Sequence, residues 1–246
     1  MSLNQILPFV SSFIMLIFTV SVLRRWVVRR KVHFLFWGIG LAMFGIGSLA
    51  EAFFAFGSWS APVFFAWYLC GAVLNAAWIG HGTLLLLVRK RWARLVTAGL
   101  VLASLAAIGL MVQAILKTNG AAYVAGIPIG EQYRSLMPAI SEGGLVRLTT
   151  PFFNIYGLLT LVGGALWSSW QFLRKQVLPN RVAGNALIAA GALSVALAGT
   201  LTRLGVGTYL YLGELVAAGL MYAGFLMAAR PATQAEVEQA KATPAA

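Results

Sequence analysis

Four ionisable side chains stand inside long apolar runs of this sequence, Glu51, His81, Arg203 and Glu214, and His33 sits at the edge of another. Charge is costly to bury in such a setting, so each of these residues is a candidate for function. Glu51 lies about five residues before the end of its run, Glu214 about as far after the start of its own, and Arg203 at the end of a third. If the runs are helices crossing a bilayer, a rise of ~1.5 Å per residue places both carboxyls roughly 8 Å below one face, with the guanidinium close to that level. An arginine between two carboxylates pairs the buried charges and leaves a net charge of about −1. Two carboxyls in unlike surroundings can also divide acid and base roles.

Polar side chains at comparable depth are Tyr68, Gln113, Asn154, Tyr156, Thr200, Thr202 and Tyr211. Tyr211 and Glu214 are three residues apart, hence on one helical face. The expected site is a polar cavity between helices, opening outward, with Glu51, Arg203, Glu214, Tyr68, Asn154 and Tyr211 as its ligand-binding residues. The competing account of the same charges is a structural ion-pair network, or Arg203 extending to the headgroups. A secondary polar line runs along a neighbouring helix, where Tyr68, Asn75 and Trp78 follow at spacings of seven and three and His81 is rotated further round.

His33 and His81 are the only histidines. A haem held between them is disfavoured, because their estimated depths differ by roughly 10 Å and opposed axial ligands need similar depth. An interhelical hydrogen bond is the simpler role for His81. The chain has no Asp, no pair of histidines at metal-binding spacing, no Gly-x-Ser-x-Gly elbow and no phosphate-binding glycine loop. No catalytic residue, metal or cofactor is assigned on this basis. An intramembrane enzyme using Glu51 and Glu214 as acid and base stays a minor alternative.

The elements that must position these groups follow from composition. Of 246 residues 60% are hydrophobic and 10% charged, against about 25% charged in a soluble domain. Apolar runs at 5–23, 34–56, 62–88, 95–116, 150–173, 183–204 and 209–229 are each long enough for a hydrocarbon core of ~30 Å. They lack the alternation of barrel strands. The expected fold class is an all-α integral membrane protein, a seven-transmembrane-helix bundle over residues 1–230 with a flexible tail at 231–246.

Charge orients the bundle. The 18 Lys and Arg outnumber six Glu, a net charge of +12, but the basic residues gather at alternate connections. Arg24, Arg25, Arg29, Arg30 and Lys31 follow the first run, Arg89, Lys90, Arg91 and Arg94 the third, and Arg174, Lys175 and Arg181 the fifth. The positive-inside rule then puts the N-terminus outside and the C-terminus in the cytoplasm. Anionic lipid headgroups at the cytoplasmic face account for the basic excess, and nucleic acid is not expected as a partner. The expected location is the cytoplasmic (inner) membrane of a bacterium, multi-pass, the N-terminal run being kept as the first span rather than removed as a leader.

Punctuation refines the picture. Pro8, Pro62 and Pro151 are expected in first turns, where a missing N–H is harmless. No proline falls mid-span, which lowers the expectation of a transporter built on broken helices. Gly38, Gly40, Gly45, Gly47, Gly184, Gly191 and Gly199 are all read as close-packing positions. Trp26, Trp59, Trp92 and Trp170 fall near the interfaces, and Cys70 is read as a small buried apolar residue. Leu23-Arg24-Arg25 with Val27 and Val28 recurs as Leu173-Arg174-Lys175 with Val177 and Leu178. This is a weak sign of a parallel repeat of three helices, a linking helix and three more. The only long connection, 117–149, is apolar enough to be an ordered cap.

Seven spans with an outside N-terminus are similar in plan to the rhodopsin-like heptahelical proteins. Span seven, however, contains no lysine, so the retinal Schiff base of that plan cannot form there. The functional expectation is a non-enzymatic membrane protein that binds a small or amphipathic ligand. The same features suit an accessory or sensory subunit of a membrane complex, with a partner subunit or a second copy of the chain. The alternative is a small-solute transporter built on the repeat.

Overall fold

The computed structural model describes residues 3–88, 91–174, 178–204 and 207–231, with the side chains of Leu3, Asn4, Arg203 and Thr208 outside the described residues. Arg89, Lys90, Lys175 and the tail from 232 onward likewise lie outside them. Among the described residues the chain is all-helical, and seven of its helices are long and apolar enough to cross a membrane. They are α1 (Leu3–Arg29), α2 (Val32–Ala55), α3 (Ala61–Leu87), α4 (Trp92–Ile115), α6 (Val146–Arg174), α7 (Pro179–Arg203) and α8 (Leu210–Ala228), with α5 (Ile129–Leu136) a short helix of the long connection.

The helices begin and end within a few residues of the apolar runs, with three instructive exceptions. α1 continues past the expected end at 23 as far as Arg29, and α6 and α7 each start four residues early, at Val146 and Pro179. The extra turns of α1 carry arginines over aromatic rings. Arg25 sits 4.5 Å from the centroid of Phe225, and Arg174 at the end of α6 sits 4.8 Å from Trp170. Such cation–π contacts let a basic helix end remain helical, and cations also suit the negative end of the helix dipole. The early start of α6 corrects the placement of Pro151. It is the sixth helical residue rather than part of the first turn, as is Pro8 in α1. Of these three prolines only Pro62 lies in a first turn, as expected; Pro179 opens α7 as well.

Six of the long helices pack in the cyclic order α1, α2, α3, α6, α7, α8 and back to α1, while α4 lies outside the ring against α3 and α6. Glycine sets the closest crossings. Gly47 of α2 abuts Gly71 of α3 so tightly that a Cβ on either would meet backbone, and Gly157 of α6 presses on Ala76 of α3 in the same way. In lipid such backbone proximity stands in for a hydrophobic drive. Gly38 packs on Leu23, Gly40 on Ile79, Gly45 on Met15, Gly184 on Gly224 and Gly191 on Met221. Gly199 is the exception to the expectation, since no atom lies within 4 Å of an added Cβ there.

α3 contains a second departure from regularity. From Trp67 to Leu74 its hydrogen bonds are those of a π-helix, whose turns are wider than α turns. In an α-helix every fourth residue drifts by about 40°. The wide turns offset that drift, so Trp67, Gly71, Asn75 and Ile79 stay on one wall of the same cavity.

The 117–149 connection folds over one end of the ring. Gln132 of α5 is its clamp: its amide donates to the carbonyls of Ile127, 2.7 Å, and Val124, 3.1 Å, and its oxygen accepts from the N–H of Val124 at 2.9 Å. Ile129, Leu136, Met137 and Val146 are buried beneath it. The Tyr123 hydroxyl donates to the carbonyl of Phe54 at the end of α2, 2.6 Å away, and burial raises its pKa above the ordinary value. Trp59 joins this packing, with Phe64, Phe54 and Tyr123 at ring-centroid distances of 5.2, 5.9 and 5.9 Å.

Candidate functional site

Beneath the cap lies a cavity of about 560 Å³, walled by α2, α3, α6, α7 and α8. It extends along α8 from Leu210 to Met221, a rise of roughly 16 Å. Glu51 and Glu214 meet on its wall. Both are buried, 3% and 9% exposed, and their carboxyl groups hydrogen-bond to one another. Carboxylates have no donor, so a hydrogen bond between two carboxyls requires a proton on one of them. The remaining donors come from neighbours: the Trp67 indole N–H reaches Glu51 Oε1 at 2.9 Å, and the Ser48 hydroxyl reaches Glu214 Oε2 at 3.4 Å. Glu51 Oε2 is fully buried and receives no N–H or hydroxyl from the described residues.

Sequence position explains part of this set. Ser48 and Glu51 are three apart on α2, one above the other. Trp67 reaches Glu51 because the π turns swing it toward α2, and no local residue pattern announces that. Arg203, expected between the carboxyls, has its side chain outside the described residues.

The other expected residues divide. Tyr68 lines the cavity and its hydroxyl is 3.1 Å from Thr150 Oγ1 of α6, a residue the sequence did not single out. Asn154 also lines it and donates to the carbonyl of Ala72 at 3.1 Å, while the Asn75 amide donates to the carbonyl of Gly71 at 2.9 Å. These two carbonyls lie in the π segment, close to where the ladder returns to α spacing and backbone pairing is irregular. The asparagines therefore satisfy the helix irregularity that shapes the wall. Tyr211 is buried beside the cavity without lining it, and its hydroxyl engages the backbone of Ile129, joining α8 to the cap. Thr200 and Thr202 border the cavity, whereas Gln113 is exposed on the far side of α4.

The secondary polar line splits as well. Asn75 faces the cavity, but Trp78 turns toward α4, donating to Ser104 Oγ at 3.2 Å and stacking on Phe36. His81 uses both ring nitrogens across helices, one 2.7 Å from the Tyr156 hydroxyl and one 2.8 Å from Thr97 Oγ1. His33 packs instead against Phe34 and Trp37. Among the described residues no three His, Cys or acidic side chains cluster as a metal site would require.

Two basic residues border the cavity at its capped end. Arg134 of α5 and Arg147 of α6 both lie over the Tyr133 ring, 5.8 and 6.0 Å from its centroid. The Tyr133 hydroxyl, accepting from Arg134 Nε at 3.3 Å, holds that guanidinium above its ordinary pKa. Arg147 Nη1 donates to the carbonyl of Pro138 at 3.4 Å. The sequence singles out neither arginine.

Fold and site together define a bundle of seven helices that are long and apolar enough to cross a membrane, compatible with a polytopic membrane protein, around a capped cavity with paired carboxyls on its wall. Comparison with protein-family models, with curated proteins and with solved structures gives no significant match.

Proposed function

We propose that the protein binds a small or amphipathic molecule in this cavity without transforming it. The observation that carries the reading is the capped cavity of about 560 Å³ itself, with the carboxyls of Glu51 and Glu214 and the side chains of Asn154 and Thr202 set into its otherwise apolar wall. A few polar groups in a largely apolar pocket orient a ligand by hydrogen bonding. The volume suits such a ligand, since small-molecule pockets run from about 300 to about 1,000 Å³. The mixed wall, carboxyls and hydroxyls toward the cap and Leu161, Ala192 and Met221 deeper down, suits a molecule with one polar end. The alternating basic connections support a cytoplasmic membrane orientation in which the cap lies outside.

The test is mass spectrometry of the molecules that accompany the purified chain, run for wild type and for the Glu51→Gln, Glu214→Gln double variant. A discrete species present in wild type and lost from a variant of unchanged melting temperature supports the reading. An identical complement in both contradicts it.

The transporter reading draws on one specific observation, the ring order that sets α1–α2–α3 beside α6–α7–α8 with α4 outside, the cavity lying between α2 and α3 of one set and α6, α7 and α8 of the other. The turns entering α2 and α7 also correspond, each passing through a left-handed residue, Arg30 at φ 52° and Leu178 at φ 57°. Parallel repeats of this kind place substrate at the repeat interface. Solute flux in proteoliposomes that is abolished in the Glu51→Gln variant would favour transport over binding alone.

A further inference from the structure

The cavity has a side opening as well as a capped end. Ile155 of α6 lines it and is nonetheless 56% exposed. Across the gap on α7, Gly199 lines it with nothing within 4 Å of an added Cβ, and Thr200 lines it while exposed. Below the cap, then, the wall between α6 and α7 is open toward the surroundings of the bundle. In a bilayer those surroundings are hydrocarbon, so what enters by this route is lipid-like.

Charge marks the other end of the same space. Arg134 and Arg147 flank Tyr133 at the capped rim, and both are held by neutral groups, a phenol and a carbonyl. Among the described residues no carboxylate pairs with either guanidinium. Two uncompensated guanidiniums bordering one ring at the cavity rim suit a phosphate group, which arginine recognises through several charge-assisted hydrogen bonds. From Arg147 to Leu161, the lower end of the cavity on α6, is 14 residues, roughly 21 Å along the helix. That exceeds the ~15 Å half-thickness of a hydrocarbon core, so an acyl chain fits along the wall beneath a head at the arginines.

We propose that a phosphate-bearing anionic lipid enters the cavity sideways between α6 and α7, its head resting on Arg134 and Arg147 and one chain lying along Leu158, Leu161 and Val195. The inference rests on the binding reading above and names its ligand class. A lipid head and a water-soluble phosphate ester share the chemistry that the arginines recognise, and the side opening favours the lipid.

The experiment uses the full chain in phosphatidylcholine nanodiscs, titrated with phosphatidylglycerol, with native mass spectrometry and thermal melting as readouts. Parallel titrations use sn-glycerol 3-phosphate and inorganic phosphate. The expected result is one tightly held phosphatidylglycerol per chain and an upward melting shift, with no shift from either soluble phosphate. The Arg134→Gln, Arg147→Gln double variant should bind at least about tenfold more weakly, as loss of charge-assisted hydrogen bonds implies. Gly199→Trp, which fills the side opening, should abolish the shift while melting like wild type without lipid, and Ile155→Trp serves if Gly199→Trp does not fold. Equal shifts in wild type and the filled variant would show lipid acting on the outer surface and overturn the proposal. A shift from glycerol 3-phosphate as large as that from the lipid would overturn the lipid route and leave cavity binding standing. No response to phosphatidylglycerol, with a different accompanying species lost in the glutamate variant, would also reject the lipid and keep the binding reading.

Discussion

The carboxyl groups of Glu51 on α2 and Glu214 on α8 hydrogen-bond to each other on the wall of a capped cavity, 163 positions apart in the chain. Their contact needs a proton, and the outer donors, Trp67 and Ser48, hold each carboxyl from one side only. If the pair acts as a unit, its members should not behave independently. Glu51→Gln and Glu214→Gln melting free energies should depart from additivity by about 0.5–3 kcal/mol in a double-mutant cycle. Additivity within a few tenths would mean that the two side chains do not touch.

Trp67 tests the π segment as well as the pair. Trp67→Phe keeps an aromatic ring against Phe64 and Tyr68 while removing the N–H that Glu51 Oε1 accepts together with part of the buried ring. The expected loss is about 1–3 kcal/mol, the cost of an unmet buried acceptor. A change within experimental error would show that another group satisfies that oxygen.

Gly47 and Gly199 carry the same residue with opposite surroundings. Gly47→Leu drives a side chain into the backbone of α3 at Gly71, whereas Gly199→Leu enters open space. The first should destabilise by about 1–3 kcal/mol or more, the second by less than about 1 kcal/mol, since it replaces a helix-weakening glycine. Melting of the two variants side by side is the check.

Tyr123 latches the cap to α2 and gives the bundle an alkaline limit. Its raised pKa is due to burial, so the phenol's contribution is complete below the ordinary value of about 10 and is lost as pH rises through the higher folded value. Tyr123→Phe should cost about 1 kcal/mol at neutral pH by losing the bond to the Phe54 carbonyl. It should also flatten the decline in melting temperature between about pH 9 and about pH 11. An unchanged alkaline decline would place its origin elsewhere.

The spans were legible because each apolar run is long enough to specify one helix, and their ends moved by only a few residues except where arginines found aromatic partners, as Arg25 did on Phe225. Glu51 and Glu214 were legible because few charges fall in apolar runs at all. Trp67 was not, because its reach to Glu51 depends on a stretch of π-helix that no proline or local motif marks. Gly199 was read as a packing glycine because composition cannot distinguish a glycine that admits a neighbouring helix from one that leaves a gap. Arg134 and Arg147 were not legible as a pair, because only the fold of the cap brings both onto Tyr133.

A density map of the chain in lipid nanodiscs tests the central claim most directly. The account predicts Glu51 and Glu214 in hydrogen-bond contact and continuous non-protein density running through the cavity from the carboxyl pair toward Arg147. Carboxyls separated by more than about 8 Å, twice the ~4 Å reach of a direct charge contact, with the space between α6 and α7 closed by side chains, would contradict it.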